Sequence, residues 1–149
     1  MRAPVPRIRL GSGHGGTRRS SPPELLRALV GAEIPLALVT SSPRHWVDGF
    51  AQRVDFSAFR AVVTADDTAR TKPAPDPYLD GAEALGLPAA RCVVIEDSLV
   101  GAWSAVSAGC VTVVVGDSAR SLPPGAHRVA SLTEVDVPML RRIVGVGGF

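Results

Sequence analysis

Cys92-Val93-Val94-Ile95-Glu96-Asp97-Ser98-Leu99-Val100-Gly101 is the stretch that decides the fold. Cys92 to Ile95 is apolar at every position, so both faces of the segment are buried. That is the pattern of a strand inside a parallel sheet rather than one at a wet surface. Two adjacent carboxylates, Glu96 and Asp97, follow at its carboxyl end, where ligands of open α/β sheets bind. Carboxylates in that place suit a hard cation such as Mg²⁺, which prefers oxygen ligands. Taken alone, the same residues also read as the N-cap of a helix opening at Leu99.

Working outward, apolar strand-like runs alternate with helical patterns. Ile34 to Val39 reads as a strand ending at Thr40-Ser41-Ser42, Phe59 to Thr64 as a second, Arg91 to Ile95 as a third and Val111 to Val115 as a fourth. Ala126 to Ala130 is a short fifth candidate. Helices are expected over Pro23–Val30, Arg44–Gln52, Pro75–Leu85 and Leu99–Ala108, with Gly31, Gly86 and Gly109 as stops. Such alternation implies right-handed βαβ units and one parallel sheet flanked by helices.

The bulk composition agrees. The chain has 149 residues, 46% apolar and only 5% aromatic, enough for one domain with an aliphatic core. Its net charge of +2 is too small to point to nucleic acid. Arg2, Arg7, Arg9, Arg18 and Arg19 crowd the first 19 residues, which carry no acid. Residues 1–22 read as a flexible basic arm and 23–149 as the core domain. Within the arm, Arg7 to Leu10 is a candidate short strand. Gly11-Ser12-Gly13-His14-Gly15-Gly16 formally matches a dinucleotide-binding loop, but no helix opens directly after it. No apolar stretch reaches the roughly 20 residues of a membrane span, and no signal-peptide core is present. A cytoplasmic protein is expected, with Cys92 and Cys110 as buried, reduced thiols.

Three polar clusters close the loops at one sheet edge: Thr40-Ser41-Ser42, Lys72-Pro73-Ala74-Pro75-Asp76 and Glu96-Asp97-Ser98. A hydroxyl with following backbone N–H groups holds phosphate oxygens. A lysine neutralises an anionic oxygen in a charged transition state. Paired carboxylates hold a cation that bridges substrate and nucleophile. Asp66-Asp67 reads as a turn and helix cap, and Trp103 as a surface position. His14, His45 and His127 lack metal-ligand spacing.

These three clusters, in this order and each after a strand, resemble the haloacid dehalogenase superfamily, nearest its phosphatase and β-phosphoglucomutase-like branch. The resemblance runs from about Pro23 to Gly116. It implies a Rossmann-like α/β core and a Mg²⁺-dependent phosphatase or phosphosugar mutase acting on a small phosphorylated metabolite. Thr40, with Ser41, resembles the motif whose hydroxyl binds the transferring phosphoryl group. Lys72 resembles the lysine that binds the same group and steadies the nucleophile. Glu96 and Asp97 resemble the Mg²⁺-holding motif.

The family's first motif, Asp-x-Asp-Gly-Thr/Val, ends its first strand and supplies the nucleophile. None of the nine aspartates has that spacing, and covalent phosphoryl transfer needs a nucleophile. The helical cap domain that this branch inserts between its first and second motifs has no room either. The expectation is a core whose N-terminal strand and cap are missing, and Arg7 to Leu10 is a candidate to fill the strand's place. Activity should be weak or absent, the alternative being a non-catalytic module that binds a phosphorylated ligand or a partner protein.

Overall fold

The computed structural model describes residues 4–6, 21–52, 56–116 and 121–145. The elements in chain order are β1 Pro4–Pro6, α1 Pro22–Gly31, β2 Ala37–Val39, α2 Arg44–Ala51, β3 Ala61–Val63, α3 Asp76–Ala84, β4 Val93–Glu96, α4 Leu99–Ser107, β5 Val111–Val115, β6 His127–Val129 and α5 Val137–Gly145. Single 3₁₀ turns at Ala89–Arg91 and Leu132–Glu134 lead into β4 and α5.

Every strand pairing among the described residues is parallel, in the ladders β1-β4-β5-β6 and β2-β3. β1 also lies beside β2, so the spatial order runs β3-β2-β1-β4-β5-β6, and among the described residues no ladder joins β2 to β1. The sequence of β1 accounts for this among the described residues. Pro4 and Pro6 carry no N–H, leaving Val5 as the strand's single donor, and pairing with β4 uses it. The expected strand over Arg7–Leu10 and the basic arm fall largely outside the described residues. Beside β4 the described residues are Pro4–Pro6.

Helices cover the sheet. α3 and α4 pack on one another and over β2, β3 and β5, while α1 packs against α5. β4 is buried at all four positions, which explains its uninterrupted apolar run. The core gathers Leu25 and Leu29 of α1, Leu36, Ala37 and Val39 around β2, Tyr78 and Ala82 of α3, Val93 to Ile95 of β4 and Leu140 of α5. Cys92 and Cys110 are buried free thiols.

The expected elements appear with trimmed ends. The run from Ile34 becomes a strand only at Ala37, because Pro35 cannot donate to a ladder. Gly86 and Gly109 stop their helices at φ +70° and +85°, conformations that cost glycine little. α1 opens on a capping box in which Ser21 Oγ accepts from Glu24 N and the Glu24 carboxylate accepts from Ser21 N. α5 lies beyond the last element expected from the sequence pattern. Its first turn is fastened by Met139 N donating to Asp136 Oδ1 at 2.8 Å.

Candidate functional site

Thr40 follows β2, Lys72 lies in the β3–α3 loop, Glu96 ends β4 and Asp97 follows it. The structure brings Lys72, Glu96 and the end of β2 together. Lys72 Nζ donates to Glu96 Oε1 at 2.5 Å and to the carbonyl of Val39 at 3.5 Å. The pair is inside the protein, with 3% of the lysine side chain and none of the glutamate exposed. A buried charge pair costs desolvation unless further hydrogen bonds complete it. Here they do.

Tyr78 of α3 donates its hydroxyl to the same Glu96 Oε1, and its ring lies 4.8 Å from Lys72 Nζ. A cation over an aromatic face gains from the ring quadrupole. The other carboxylate oxygen, Oε2, accepts from Asp97 N at 3.2 Å, Ser98 N at 3.4 Å and Ser98 Oγ at 3.2 Å. Ser98 thereby serves two partners, since its Oγ also accepts from Gly101 N at 3.1 Å to cap α4. The helix-cap reading of this segment and its site reading are therefore both true, through different residues.

Glu96 and Asp97 have opposite fates. Glu96 is wholly buried, whereas Asp97 is exposed. β4 is buried on both faces and ends at Glu96, so the adjacent carboxylates divide between the buried strand end and the exposed turn that follows it.

Two further residues of α4 bear on the pair. Ser104, buried on α4, donates Oγ to the carbonyl of Ala74 at 2.6 Å, fastening the loop to the helix that follows the carboxylates. Gly101 faces Glu96, and a β-carbon there would overlap Cδ and both oxygens of the carboxylate. Tyr78 and Ser104 escaped the sequence reading, and Gly101 entered it only as the glycine that follows the carboxylates. Each looks like an ordinary helical residue until three loops are placed around it.

At the end of β2, Thr40 N donates to Val63 O at 2.9 Å, and Thr40 Oγ1 accepts from Ser42 N at 3.1 Å. The hydroxyl is thus held beside the backbone turn that carries exposed Ser41. Asp66 and Asp67 behave as turn and cap residues. Asp66 Oδ2 accepts from the first N–H of α2, at Arg44, at 2.8 Å. Asp67 accepts from Thr64 N and Oγ1, each at 2.8 Å, and from the Arg44 guanidinium. Burial would raise the Asp67 carboxyl, but the Thr64 hydrogen bonds and Arg44 outweigh it and hold it below the ordinary value. His45 and Trp103 are exposed, as expected of surface positions.

A family model described as haloacid dehalogenase-like hydrolase matches residues 13–109. Hexitol phosphatase A of Escherichia coli is 41% identical over 91 residues, covering 61% of this chain and 42% of its own length. Validoxylamine A 7'-phosphate phosphatase of Streptomyces hygroscopicus subsp. limoneus is 33% identical over 123 residues, covering 77% and 55% respectively. The chain spans about half the length of the curated relatives it matches. Among solved structures, a family IA hydrolase of Entamoeba histolytica superposes with a TM-score of 0.74 at 26% identity, over 85% of this chain and 60% of that one. A point mutant of CbbY of Rhodobacter sphaeroides in complex with xylulose-1,5-bisphosphate gives 0.73 at 25%, over 82% and 58%.

Proposed function

Because the chain belongs to the haloacid dehalogenase-like hydrolase family, we propose that its carboxyl sheet edge binds a small phosphate ester together with Mg²⁺. The observation that carries this reading is the buried Lys72–Glu96 pair beside the end of β2. A buried lysine held in this way is costly to build for stability alone. A fixed ammonium at the strand ends is what a phosphoryl group requires.

In this reading Thr40 and the N–H groups after it, with Ser41, hold phosphoryl oxygens. Lys72 neutralises one of them and is oriented by Glu96 and Tyr78. The compounds named with the relatives, a hexitol, validoxylamine A 7'-phosphate and xylulose-1,5-bisphosphate, favour a phosphorylated polyol or sugar.

The donor set is compatible with Mg²⁺. Among the described residues no group of three His, Cys, Asp or Glu is placed to hold a metal. The chain supplies the Glu96–Asp97 pair, of which Asp97 stands at the open edge. Glu96 is wholly buried with both oxygens engaged, so it supports the site from within and Asp97 is the carboxylate offered to the ion. Mg²⁺ commonly takes one or two carboxylates and fills its other positions with water and phosphate oxygens. When bound, it would neutralise charge on the phosphoryl oxygens.

Turnover is a separate matter. Residues 1–149 contain no Asp-x-Asp, so we propose that this chain binds better than it hydrolyses. Inorganic phosphate and Mg²⁺ should each raise Tm, and Asp97→Asn should remove the Mg²⁺ response alone. Hydrolysis of an aryl phosphate should stay near background. Robust turnover abolished by Asp97→Ala would show that a nucleophile is present after all. No response of Tm to phosphate or Mg²⁺ would sink the binding proposal itself.

A further inference from the structure

We propose that the outer face of α4 is a docking surface for a second copy of this chain, the two α4 helices packing antiparallel about Trp103. The first observation is how α4 divides its side chains. Gly101, Ala102, Ser104 and Ala105 are buried, and the helix packs on β4 and β5. Val100 is 51% exposed and Trp103 47%. The helix thus turns small residues inward and large apolar ones outward. Leu99–Ser107 holds no charged residue. A helix at a solvated surface carries polar and charged residues on its outer face, and one that is apolar all round belongs in an interior.

The second observation is that the outward residues form one stripe. Val100, Trp103 and exposed Ser107 stand three and four residues apart, which aligns them along one side of the helix. α3, which packs against α4, adds exposed Leu79. Tryptophan is the residue type that anchors interfaces most strongly, and interface centres are poor in charge. Trp103 stands at the middle of the stripe.

Charge identifies the occupant. About a twofold axis the same surface meets itself, so any charge near the axis would face its own like. The chain from Ser98 to Gly116 carries none. Exposed Asp97 precedes the helix, and antiparallel packing keeps the two copies of it at opposite ends of the pair. The net charge of +2 sets up little repulsion between whole chains. An anionic membrane is a poorer match, because it attracts basic residues and the exposed charges flanking the stripe are the acids Glu83 and Asp97. One helix face with Leu79 is a small patch beside the roughly 800 Å² that each partner gives to a standard interface. The dimer is therefore reversible and concentration-dependent. None of this rests on the function proposed above.

Analytical ultracentrifugation of the full chain from micromolar to millimolar concentration tests the proposal. A monomer–dimer equilibrium is expected, with tryptophan fluorescence moving to shorter wavelength as the dimer forms. Trp103→Glu and Val100→Asp should each weaken the dimer by more than about tenfold and leave the Tm of the dilute protein unchanged. Adding Ser107→Lys to Val100→Asp should restore the dimer, because antiparallel packing sets positions 100 and 107 opposite one another. A chain that stays monomeric throughout, or a dimer indifferent to Trp103→Glu, would overturn the proposal. So would uncharged phosphatidylcholine vesicles binding through Trp103 to a chain that does not self-associate. A dimer broken by Val100→Asp and not restored by Ser107→Lys would overturn the antiparallel packing. A dimer whose Tm ignores phosphate would remove only the phosphate reading, and a phosphate-binding monomer would remove only the dimer.

Discussion

Gly101 faces Glu96 so closely that no side chain fits between them. The first turn of α4 is therefore the lid of the pocket that holds the buried carboxylate. The small residue is there because of the charge beneath it, not because the helix tolerates it.

Gly101→Ala tests this directly. The added methyl must push Glu96 off its partners, so destabilisation of about 1–3 kcal/mol from overpacking is expected, more if the ion pair breaks. In a Glu96→Ala background the same change should cost far less. Denaturant unfolding of the two singles and the double decides the matter, and strict additivity would contradict the contact.

The Lys72–Glu96 pair makes a second prediction. Removing either partner strands a buried charge and should cost on the order of 3–5 kcal/mol. Lys72→Met combined with Glu96→Gln should lose much less than the sum. A double-mutant cycle with no coupling would show that the two groups do not share their burial.

Tyr78→Phe keeps the ring near Lys72 but deletes a donor to Glu96 Oε1. A hydrogen bond to a charged group is worth roughly 1.5–3 kcal/mol, so a loss in that range is expected by thermal or urea unfolding. A change below about 0.5 kcal/mol would mean that the hydroxyl is dispensable.

The thiols predict a pH dependence. Burial pushes Cys92 up to about 11, and burial with the neighbouring Cys92 pushes Cys110 up to about 12, from an ordinary 9.0. The folded protein binds protons that the unfolded chain has released, so their contribution is complete below about pH 9 and falls as pH rises toward 11–12. Replacing both with alanine should flatten the alkaline limb of the stability profile. Iodoacetamide should modify neither thiol in the native protein at neutral pH, and rapid native labelling would contradict their burial.

Asp67 acts at the other end of the pH scale. Its lowered value means that stability is present above the ordinary 3.8 and is lost as pH falls through the folded value. Asp67→Asn should reduce the acid sensitivity of unfolding below about pH 4 while lowering stability at neutral pH. An unchanged acid limb would rule out its role.

How much of this was legible in the sequence depends on range. Thr40, Lys72 and Glu96 could be placed because each closes a strand in a parallel sheet or lies in the loop beyond one, and every such end faces the same edge. The division of labour between Glu96 and Asp97 follows from where β4 ends, and reading it needed that end to be fixed to one residue. Tyr78, Gly101 and Ser104 could not be read, since their roles arise from contacts across 18, 5 and 30 residues of chain. The capping boxes Ser21-Pro22-Pro23-Glu24 and Ser131-Leu132-Thr133-Glu134 were there to be read as Ser-x-x-Glu. The second of them announces the approach to α5. β1 was hidden by its prolines, which argue against a central strand.

The burial of Glu96 beside an exposed Asp97 has a consequence for how the chain finds its alignment. A slip of β4 by a single residue toward its amino end would carry Glu96 into the buried, apolar place of Ile95 and Asp97 into that of Glu96. No lysine, tyrosine or serine would then stand opposite Glu96. Misaligned sheets are thus penalised at the one place where an error cannot be relaxed, and the ion pair serves as a check on strand alignment. A Lys72→Met/Glu96→Gln chain that stays folded should lose this discrimination and show several slowly exchanging amide signals for β4. A single sharp set would mean that the aliphatic packing fixes the alignment alone.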